Sequence, residues 1–413
     1  MIVNITPNAL SGVVSAPPSK SYAHRLIISA YLSGGKVKIK NTGNSADVNA
    51  TVTALKALGG NVYFDGNDVI VDGRNRVNDV VVDCGESGST MRFLMPIACA
   101  FGITAKFTGK GRLLSRPIGE LVDTLTANGG VINGHSVSGK LTAGEYKINA
   151  SVSSQYITGL LFALSMLDGD STLILEGNVV SVGYIDVTLD VLKTFGIEIK
   201  KIENGYFIKG NQKYATPNEV EVEGDYSGAA FILSLGAING KVVVKGLNAN
   251  SCQGDKEIIN VLKKFGAKIS CDNGDVIVEK GMLNGITIDA ENIPDLVQVI
   301  SVVASHSKGE TIIKNVNRLK DKESDRIKAV IDTLGVAGIS ASYNGNDLII
   351  QGGNVLGGTF DGGNDHRTVM SSVVLASNSK GNSKVIGAEA HVKSYPQFFN
   401  DFVKLGGVID VKI

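Results

Sequence analysis

The sequence predicts an α/β protein in which one building block, two helices with a set of mixed strands, recurs through the chain. Three observations predict it. A helix-like apolar run ends in Gly and a strand-like run follows, six times, at intervals of about 70 residues. Each interval holds two stretches with helical apolar spacing and others in which Val or Ile alternates with polar residues. A length of 413 residues is typical of two or three domains, so six repeats divide most simply into two sets of three. The six boundaries are Leu58-Gly59, Asn128-Gly129, Phe195-Gly196, Phe265-Gly266, Leu334-Gly335 and Leu405-Gly406.

The fourth repeat illustrates the elements that we expect in each repeat. Residues 227–235 read as a helix of small and apolar residues, and residues 256–265 read as an amphipathic helix. Gly266 is expected to cap the second helix, and Asn273-Gly274 to turn a β-hairpin after it. The repeat is therefore structural, with little sequence identity between copies.

The start of the chain does not fit into the repeat series. Pro17-Pro18 interrupts the chain after a first strand, because two consecutive prolines cannot sit inside a helix or a ladder. We predict that residues 1 to about 17 form one additional strand that completes the C-terminal domain. The chain then crosses between domains twice, near 18–19 and 224–225, which would make a hinge. The predicted domains are 19–224, and 1–18 together with 225–413.

Composition excludes several classes of protein. The chain is 43% hydrophobic and formally neutral, with no apolar run long enough to span a bilayer and no signal-peptide pattern, so we expect a cytoplasmic protein without a membrane partner. Neutral charge without basic runs argues against nucleic acid. Four cysteines lie far apart without metal-ligand spacing, so we expect reduced thiols, no zinc site and no disulfide framework.

Cations recur in the polar turns where helices are expected to begin. Lys20 and Arg25 follow Ser19, a potential cap, although the positive end of a helix dipole disfavours cations. Such a placement suggests an anionic ligand. Each instance alone has a simpler explanation, either capping or a solvated face with local ion pairs. Recurrence at equivalent positions of different repeats favours one anion-binding cleft between the two halves. The other instances are residues 85–92, Arg116, residues 153–155, residues 322–326, residues 365–367 and Lys393.

These motifs together resemble the 5-enolpyruvylshikimate-3-phosphate (EPSP) synthase family over essentially the whole chain. The resemblance is carried by Gly-x-x-Met-Arg (88–92), Ser-Ser-Gln (153–155), Lys-Glu-Ser-Asp-Arg (322–326) and Asp-His-Arg (365–367). It implies two inside-out α/β domains of three repeats each, which close on the substrates. It also implies transfer of the enolpyruvyl group of phosphoenolpyruvate to shikimate 3-phosphate, without a metal or another cofactor. Family members are usually monomers, and inhibition by glyphosate is expected with Gly88 in place.

The resemblance assigns binding residues for both substrates. Shikimate 3-phosphate is assigned to Lys20, Ser21, Arg25, Ser153, Ser154, Gln155, Ser181, Tyr184, Asp295 and Lys322. Phosphoenolpyruvate is assigned to Lys20, Gly88, Arg116, Gln155, Arg326, Arg367 and Lys393. Gly88 would leave room for the small ligand, and Arg92 would have a supporting role.

The reaction also requires acids and bases. The shikimate 5-hydroxyl loses a proton as it attacks C2 of phosphoenolpyruvate, C3 gains one, and the adduct then loses phosphate and a proton from C3. Asp295 suits the base near the hydroxyl, Glu323 suits the proton donor to C3, and Lys20 would help the departing phosphate. Which acid acts in which half-reaction stays open.

Two departures and two alternatives accompany this interpretation. Many family members have Asn at the position of Glu86, so this acid should point away from the ligand or pair with Arg92. Arg318 stands where some relatives use Asn towards the shikimate phosphate.

The related enzyme that uses UDP-N-acetylglucosamine typically carries a reactive Cys in the loop that here spans residues 109–116, which contains none. A non-catalytic anion-binding protein is the second alternative, and the two acids argue against it.

Overall fold

The computed structural model describes residues 1–412, and these form two compact units. Unit 1 comprises Met1–Ser19 and the chain from Glu223 onward, and unit 2 comprises Lys20–Val222. The sequence predicts crossings near 18–19 and 224–225, and the boundaries of the compact units fall at 19–20 and 222–223. No helix of the described residues is long and apolar enough to cross a membrane.

The described residues contain 24 strands and 12 α-helices. The strands are β1 (Ile2–Thr6), β2 (Leu10–Ser15), β3 (Lys36–Lys40), β4 (Gly60–Asp65), β5 (Asp68–Arg74), β6 (Val80–Asp83), β7 (Ala105–Thr108), β8 (Gly130–Asn133), β9 (Ser136–Gly139), β10 (Glu145–Asn149), β11 (Ser171–Glu176), β12 (Ile199–Ile202), β13 (Gly205–Ile208), β14 (Glu219–Glu221), β15 (Gly240–Lys245), β16 (Lys268–Asp272), β17 (Asp275–Glu279), β18 (Thr287–Asp289), β19 (Glu310–Lys314), β20 (Ser340–Tyr343), β21 (Leu348–Gln351), β22 (Thr359–Asp361), β23 (Ser383–Ile386) and β24 (Val408–Lys412). The helices are α1 (Lys20–Ser33), α2 (Ala46–Ala57), α3 (Gly88–Phe101), α4 (Gly119–Thr126), α5 (Ser154–Leu164), α6 (Val182–Thr194), α7 (Tyr226–Asn239), α8 (Ile258–Phe265), α9 (Val297–Ser305), α10 (Arg326–Val336), α11 (His366–Ala376) and α12 (Phe398–Lys404). Short 3-10 helices cover Leu113–Ser115, Gly254–Glu257, Pro294–Leu296, Asn317–Asp321 and Ala388–Lys393.

The strands of the described residues form six four-stranded sheets with one common topology. In each sheet an outer strand is parallel to the second strand, and the remaining pairings are antiparallel. Unit 2 holds the sheets β14-β3-β5-β4, β6-β7-β9-β8 and β10-β11-β13-β12. Unit 1 holds β2-β15-β17-β16, β18-β19-β21-β20 and β22-β23-β1-β24. This confirms the prediction of six repeats with mixed strands.

Helices occupy the interior of each unit, and the sheets lie outside them. The first helix of each repeat is buried almost all round: α7, α9 and α11 in unit 1, for example, pack against one another. The second helices are amphipathic, and α8 buries only Ile258, Val261, Leu262 and Phe265, one helical face. Helices that are apolar all round must be enclosed, which explains the inside-out arrangement that the family resemblance implies.

The N-terminal segment forms two strands, where the sequence predicts one. β1 lies between β23 and β24 in the sixth repeat, antiparallel to both, and β2 lies at the edge of the fourth repeat, parallel to β15. Both strands belong to unit 1. The prediction missed the break because residues 7–9 contain only one Pro and no Gly, a weak turn signal.

The capping and turn residues of the fourth repeat follow the sequence prediction. Gly266 ends α8 in the left-handed conformation, with φ of 110°. Asn273 and Gly274 both have positive φ, 46° and 86°, as a two-residue type I′ hairpin requires. The two strands of the hairpin, β16 and β17, flank this turn and pair in register from Asp272 and Asp275 onward. The cysteines are free thiols, two of them buried and two exposed.

Candidate active site

Three carboxylates surround one buried guanidinium in unit 1. Arg326, the first residue of α10, is 1% exposed. Its Nε donates to Oδ2 of Asp365 at 2.8 Å, Nη1 to Oδ1 of Asp295 at 2.9 Å, and Nη2 to Oε2 of Glu323 at 2.7 Å. Burial alone would lower the pKa of Arg326, but the acids, Asp365 foremost, raise it above the usual range. This guanidinium therefore stays charged and holds both predicted proton carriers in place.

Asp295 lies among three cations. Its Oδ2 is 3.0 Å from Nη2 of Arg367, and its Oδ1 is 3.9 Å from Nζ of Lys322 in addition to its bond with Arg326. Burial favours the neutral acid, yet Arg367, Lys322 and Arg326 outweigh it and hold the pKa of Asp295 well below its ordinary value. The carboxylate is therefore ionised at neutral pH, which is the state that a general base needs.

Lys322, Asp295 and Glu323 are the more accessible members of this cluster. Their side chains are 24%, 19% and 18% exposed, against 2% for Arg326. Burial, opposed by the charge of Asp295, lowers the pKa of Lys322 to about 8. A lysine with this pKa loses its charge in mildly alkaline solution.

The remaining predicted cations of unit 1 lie at the start of α11, Arg367 in its first turn and Lys393 at the end of the 3-10 helix Ala388–Lys393. Asp365 caps α11 by accepting from the backbone N–H of Arg367 at 2.9 Å. Arg367 donates to the backbone oxygen of Asp295 at 2.9 Å and to Oγ of Ser227 at 2.7 Å. Lys393 donates to the backbone oxygen of Asn364 at 2.6 Å, just before the helix begins. Asp295, Lys322, Glu323, Arg326 and Arg367 thus form one cluster, with Lys393 anchored beside the start of α11.

In unit 2, the start of α3 lies against a second arginine. Ser87 caps α3, and a Cβ atom at Gly88 would come within 2.6 Å of Nη1 of Arg116. The guanidinium thus lies where a side chain at position 88 would be, so Gly88 makes room for Arg116 itself. Arg116 is 8% exposed. A guanidinium against a helix N-terminus is a suitable anion site.

The sequence predicts a helix start one residue from Arg116, and the structure places it further along the chain. Arg116 follows the 3-10 turn Leu113–Ser115, and α4 begins three residues later, at Gly119. Arg116 is extended, with φ of −74° and ψ of 143°, because a residue before proline avoids the helical region.

Arg92 links α3 to α5. It donates to Oε1 of Gln155 at 2.7 Å and to the backbone oxygen of Pro117 at 2.8 Å, next to Arg116. Gln155 in turn donates to Oγ of Ser89 at 2.9 Å. Arg92 therefore orients Gln155 and the loop that carries Arg116, in agreement with a supporting role.

Predicted phosphate-binding hydroxyls stand at the starts of α5 and α6, which pack together. Ser153 caps α5 by accepting from the N–H of Gln155 at 3.3 Å, and Ser154 is the first residue of that helix. Ser181 precedes α6 in the left-handed conformation, with φ of 54°, and its backbone oxygen accepts from the N–H of Tyr184 at 3.0 Å. Two positive helix ends with hydroxyls are a typical setting for phosphate.

Lys20 and Arg25 share α1 but differ in their surroundings. Nζ of Lys20 is 2.7 Å from Oδ2 of Asp47, in the first turn of α2, and both side chains are partly exposed. Arg25 is 3% exposed, and burial lowers its pKa to about 10. It makes four hydrogen bonds, to the backbone oxygens of Ser21 and Tyr184 and the hydroxyls of Thr158 and Thr188. A guanidinium has five N–H groups, and these four bonds use most of them. Arg25 therefore mainly joins α1 to α5 and α6.

Comparisons with known proteins agree with this geometry. The model of a family described as EPSP synthase (3-phosphoshikimate 1-carboxyvinyltransferase) matches residues 5–402. The chain belongs to the EPSP synthase family. Among similar curated proteins, 3-phosphoshikimate 1-carboxyvinyltransferase of Clostridium novyi (strain NT) is 40% identical, covering 99% of this chain and 98% of the relative. The protein of the same name from Clostridium acetobutylicum is 40% identical over 98% of this chain and 97% of the relative.

Solved structures show the same fold. EPSP synthase from Acinetobacter baumannii superposes with a TM-score of 0.84 at 24% identity, covering 100% of both chains. The enolpyruvyl transferase NikO from Streptomyces tendae superposes with a TM-score of 0.79 at 16% identity, covering 99% of this chain and 98% of that one. The family and the fold predicted from the sequence are confirmed, and the EPSP synthase family match does not favour the UDP-N-acetylglucosamine alternative.

The structure places Glu86 and Arg318, the two residues that the sequence analysis names as departures from the family pattern. Oε2 of Glu86 lies 2.5 Å from the position that a Cβ atom of Gly111 would take, so this acid packs on the loop that leads to Arg116. Arg318 donates to the backbone oxygen of Glu291 at 2.6 Å, and burial lowers its pKa.

Sequence reasoning missed three residues that bind predicted site residues. Asp47 pairs with Lys20, Asp365 binds Arg326, and Ser227 binds Arg367. Asp365 lies inside a motif used for the family resemblance, and Asp directly before an expected helix is a cap signal. Asp47 and Ser227 gave no signal, since their partners are distant in sequence.

Proposed function

We propose that this protein transfers the enolpyruvyl group of phosphoenolpyruvate to the 5-hydroxyl of shikimate 3-phosphate and releases phosphate. Membership of the EPSP synthase family supports the reaction. The observation that carries the proposal is that Asp295 and Glu323 bind the same buried guanidinium, that of Arg326. A protein that only bound anions would gain nothing from two acids among its cations, so the acids favour catalysis.

The reaction is an addition followed by an elimination. In the addition, the 5-hydroxyl oxygen bonds to C2 of phosphoenolpyruvate, its proton goes to a base, and an acid gives a proton to C3. In the elimination, the bond between C2 and the phosphate oxygen breaks, phosphate leaves, and C3 returns a proton to a base. Atoms and charges balance without an oxidant or a reductant.

Asp295 is proposed as the base for the hydroxyl. Its low pKa keeps it ionised, but the same cations weaken it as a proton acceptor. Anionic ligands compete for Arg367 and Lys322, and a carboxylate that loses cation partners becomes more basic. Substrate binding would therefore raise the pKa of Asp295 towards the range that proton transfer requires.

Glu323 is proposed as the proton donor to C3, and Lys20 as the group that assists the departing phosphate. Glu323 is partly exposed beside Lys322 and contacts Arg326 through one oxygen, Oε2. Lys20 is partly exposed beside Asp47, so a phosphate could replace that acid as its partner. The roles of Asp295 as base and Glu323 as acid stay predictions.

Unit 2 is proposed to bind mainly shikimate 3-phosphate, and unit 1 to supply the acids and most phosphoenolpyruvate contacts. The serines at α5 and α6 suit the shikimate phosphate, together with Lys20, Ser21, Gln155 and Tyr184. Gly88 and Arg116 suit phosphoenolpyruvate, together with Arg326, Arg367 and Lys393. A cytoplasmic location and a monomeric state, predicted from the sequence, stay part of the proposal.

Release of inorganic phosphate from phosphoenolpyruvate tests the proposal. Turnover should require shikimate 3-phosphate and should be absent with UDP-N-acetylglucosamine as acceptor. Turnover with the nucleotide sugar would support the alternative enzyme. Binding of shikimate 3-phosphate without phosphate release would support a non-catalytic anion-binding protein.

A further inference from the structure

A chain of buried hydrogen bonds joins three helices of unit 2 and has no part in the reaction described above. Nδ1 of His24 in α1 is 2.6 Å from Oγ1 of Thr51 in α2, which is 2.7 Å from Oγ1 of Thr90 in α3. Oγ1 of Thr90 is 2.8 Å from Oγ of Ser87, the cap of α3. All four side chains, here called the His24 relay, are at most 1% exposed.

The donors in the His24 relay run in one direction. The Ser87 oxygen accepts from the Thr90 backbone N–H at 3.2 Å and from the Thr90 hydroxyl. Each hydroxyl has one hydrogen, so Thr51 must donate to Thr90, and Nδ1 of His24 must donate to Thr51. The imidazole is then the Nδ1–H tautomer, with Nε2 as a bare acceptor. A buried acceptor without a partner is tolerated more readily than a buried N–H without one.

The charge state of His24 fits this arrangement. Burial, and then the charges of Lys20 and Arg25, lower the pKa of His24 well below its ordinary value, so no second proton is bound at neutral pH. The ring packs edge-on against Phe93 of α3, with centroids 6.5 Å apart. The relay is thus a fixed set of neutral hydrogen bonds inside an apolar core.

The two ends of the His24 relay lie beside proposed substrate residues. His24 is one helical turn after Lys20 and Ser21, and Ser87 immediately precedes Gly88, against which Arg116 lies. Polar chains in a core add less stability than apolar packing but fix one geometry when all members are bonded. The relay therefore sets the position of the α3 N-terminus relative to the start of α1.

We propose that His24, Thr51 and Thr90 are positioning residues that hold the N-terminus of α3 where the phosphoenolpyruvate subsite at Gly88 and Arg116 requires it. The ligand class is a small dianion or trianion with phosphate and carboxylate groups. This inference rests on the proposed function. A binding site of this kind loosens when its supporting shell shifts by about 0.5 Å.

Substitution of Thr51 separates the hydroxyl from the packing. Thr51→Val keeps the shape and removes the hydrogen bonds, and it should raise KM for phosphoenolpyruvate about tenfold, the effect of one buried hydrogen bond. The kcat and the KM for shikimate 3-phosphate should stay within about twofold of wild type, below the effect of one such bond. Thr51→Ser keeps the hydroxyl and should restore the wild-type KM.

A matched control removes a buried threonine hydroxyl elsewhere in unit 2. Thr124 of α4 is 5% exposed and bonds to two backbone oxygens, so Thr124→Val tests a structural loss alone. It should lower the unfolding midpoint in urea as Thr51→Val does, without changing KM for phosphoenolpyruvate. Equal KM values for both valine variants and wild type would overturn the inference. A wild-type protein that releases no phosphate would instead overturn the proposed function.

A second measurement needs no activity and no stable valine variant. Nitrogen-15 NMR of the wild-type protein should show His24 among the neutral Nδ1–H tautomers at neutral pH, and its signal is identified as the one that is missing in His24→Asn. His306 and His391 are expected to give Nδ1–H signals as well, because Nδ1 of each lies within 3.0 Å of a backbone oxygen. The asparagine amide occupies the Nδ1 position and can still donate to Thr51, so this variant should fold. A protonated ring or an Nε2–H tautomer for His24 would contradict the relay.

Discussion

Replacement of Asp295 by Asn removes the proposed base while its shape and one acceptor oxygen remain. The amide oxygen can still accept from Nη1 of Arg326, which lies 2.9 Å from Oδ1. It cannot neutralise Arg367 and Lys322, whose nitrogens are 3.0 Å and 3.9 Å from the carboxylate. The variant therefore separates proton transfer from hydrogen bonding.

Two magnitudes follow from these contacts. Loss of a general base lowers kcat about 10²- to 10⁴-fold. Removal of one partner from a buried ion cluster costs about 3 kcal/mol of unfolding free energy, the low end of the range because Arg326 keeps Glu323 and Asp365. In a domain of this size that cost lowers Tm by about 6–12 °C, so the variant should stay folded at 25 °C.

The assay combines phosphate release with calorimetric titration of shikimate 3-phosphate and thermal unfolding. The Kd of Asp295→Asn for shikimate 3-phosphate should stay within about fivefold of the wild-type value, which is about 1 kcal/mol of binding free energy, while turnover is lost. Asp332→Asn is the control. Its partner Lys328 is 70% exposed, so the loss of unfolding free energy should stay within about 0.5 kcal/mol. A folded Asp295→Asn protein with near-wild-type kcat would refute the role of Asp295 as base.

Three further predictions concern the other proposed groups. Glu323→Gln should lower kcat about 100-fold or more, because proton donation to C3 is lost, with unchanged binding of shikimate 3-phosphate by calorimetry. Gly88→Ala should raise KM for phosphoenolpyruvate at least about tenfold in the phosphate-release assay, since its methyl group, 2.6 Å from Nη1 of Arg116, displaces the guanidinium. In the free enzyme, kcat/KM should fall above about pH 8 as Lys322 loses its proton, and Lys322→Arg should move this limb to higher pH because arginine stays charged.

Each of these predictions has a contradicting result. Normal turnover of Glu323→Gln would remove that residue from proton transfer. An unchanged KM in Gly88→Ala would mean that Arg116 moves aside without loss to the ligand. An alkaline limb that stays in place in Lys322→Arg would assign it to another group.

Local signals in the sequence were sufficient for the repeats and for most helix starts. Gly266 and Asn273-Gly274 were identified because left-handed backbone is sterically selective. Family motifs then brought Asp295, Glu323 and Arg326 together as candidates before any distance was known.

Contacts between distant residues could not be predicted in the same way. The bond between Asp47 and Lys20 and the bonds between Thr51, Thr90 and His24 join separate helices, and no periodicity in the sequence encodes which side chains face each other. The extended backbone of Arg116 was predictable from Pro117, whose effect on the preceding residue is local.

The insertion of β1 between β23 and β24 has a consequence for synthesis on the ribosome. Unit 2 is continuous, and its last strand, β14, pairs with β3, so this unit can fold once about half of the chain has emerged. Ile2, in contrast, pairs with Lys412. At about 5–20 residues per second, the first strand waits about 20–80 s for its partner. We therefore expect β1 to remain a candidate for chaperone binding until β24 has emerged.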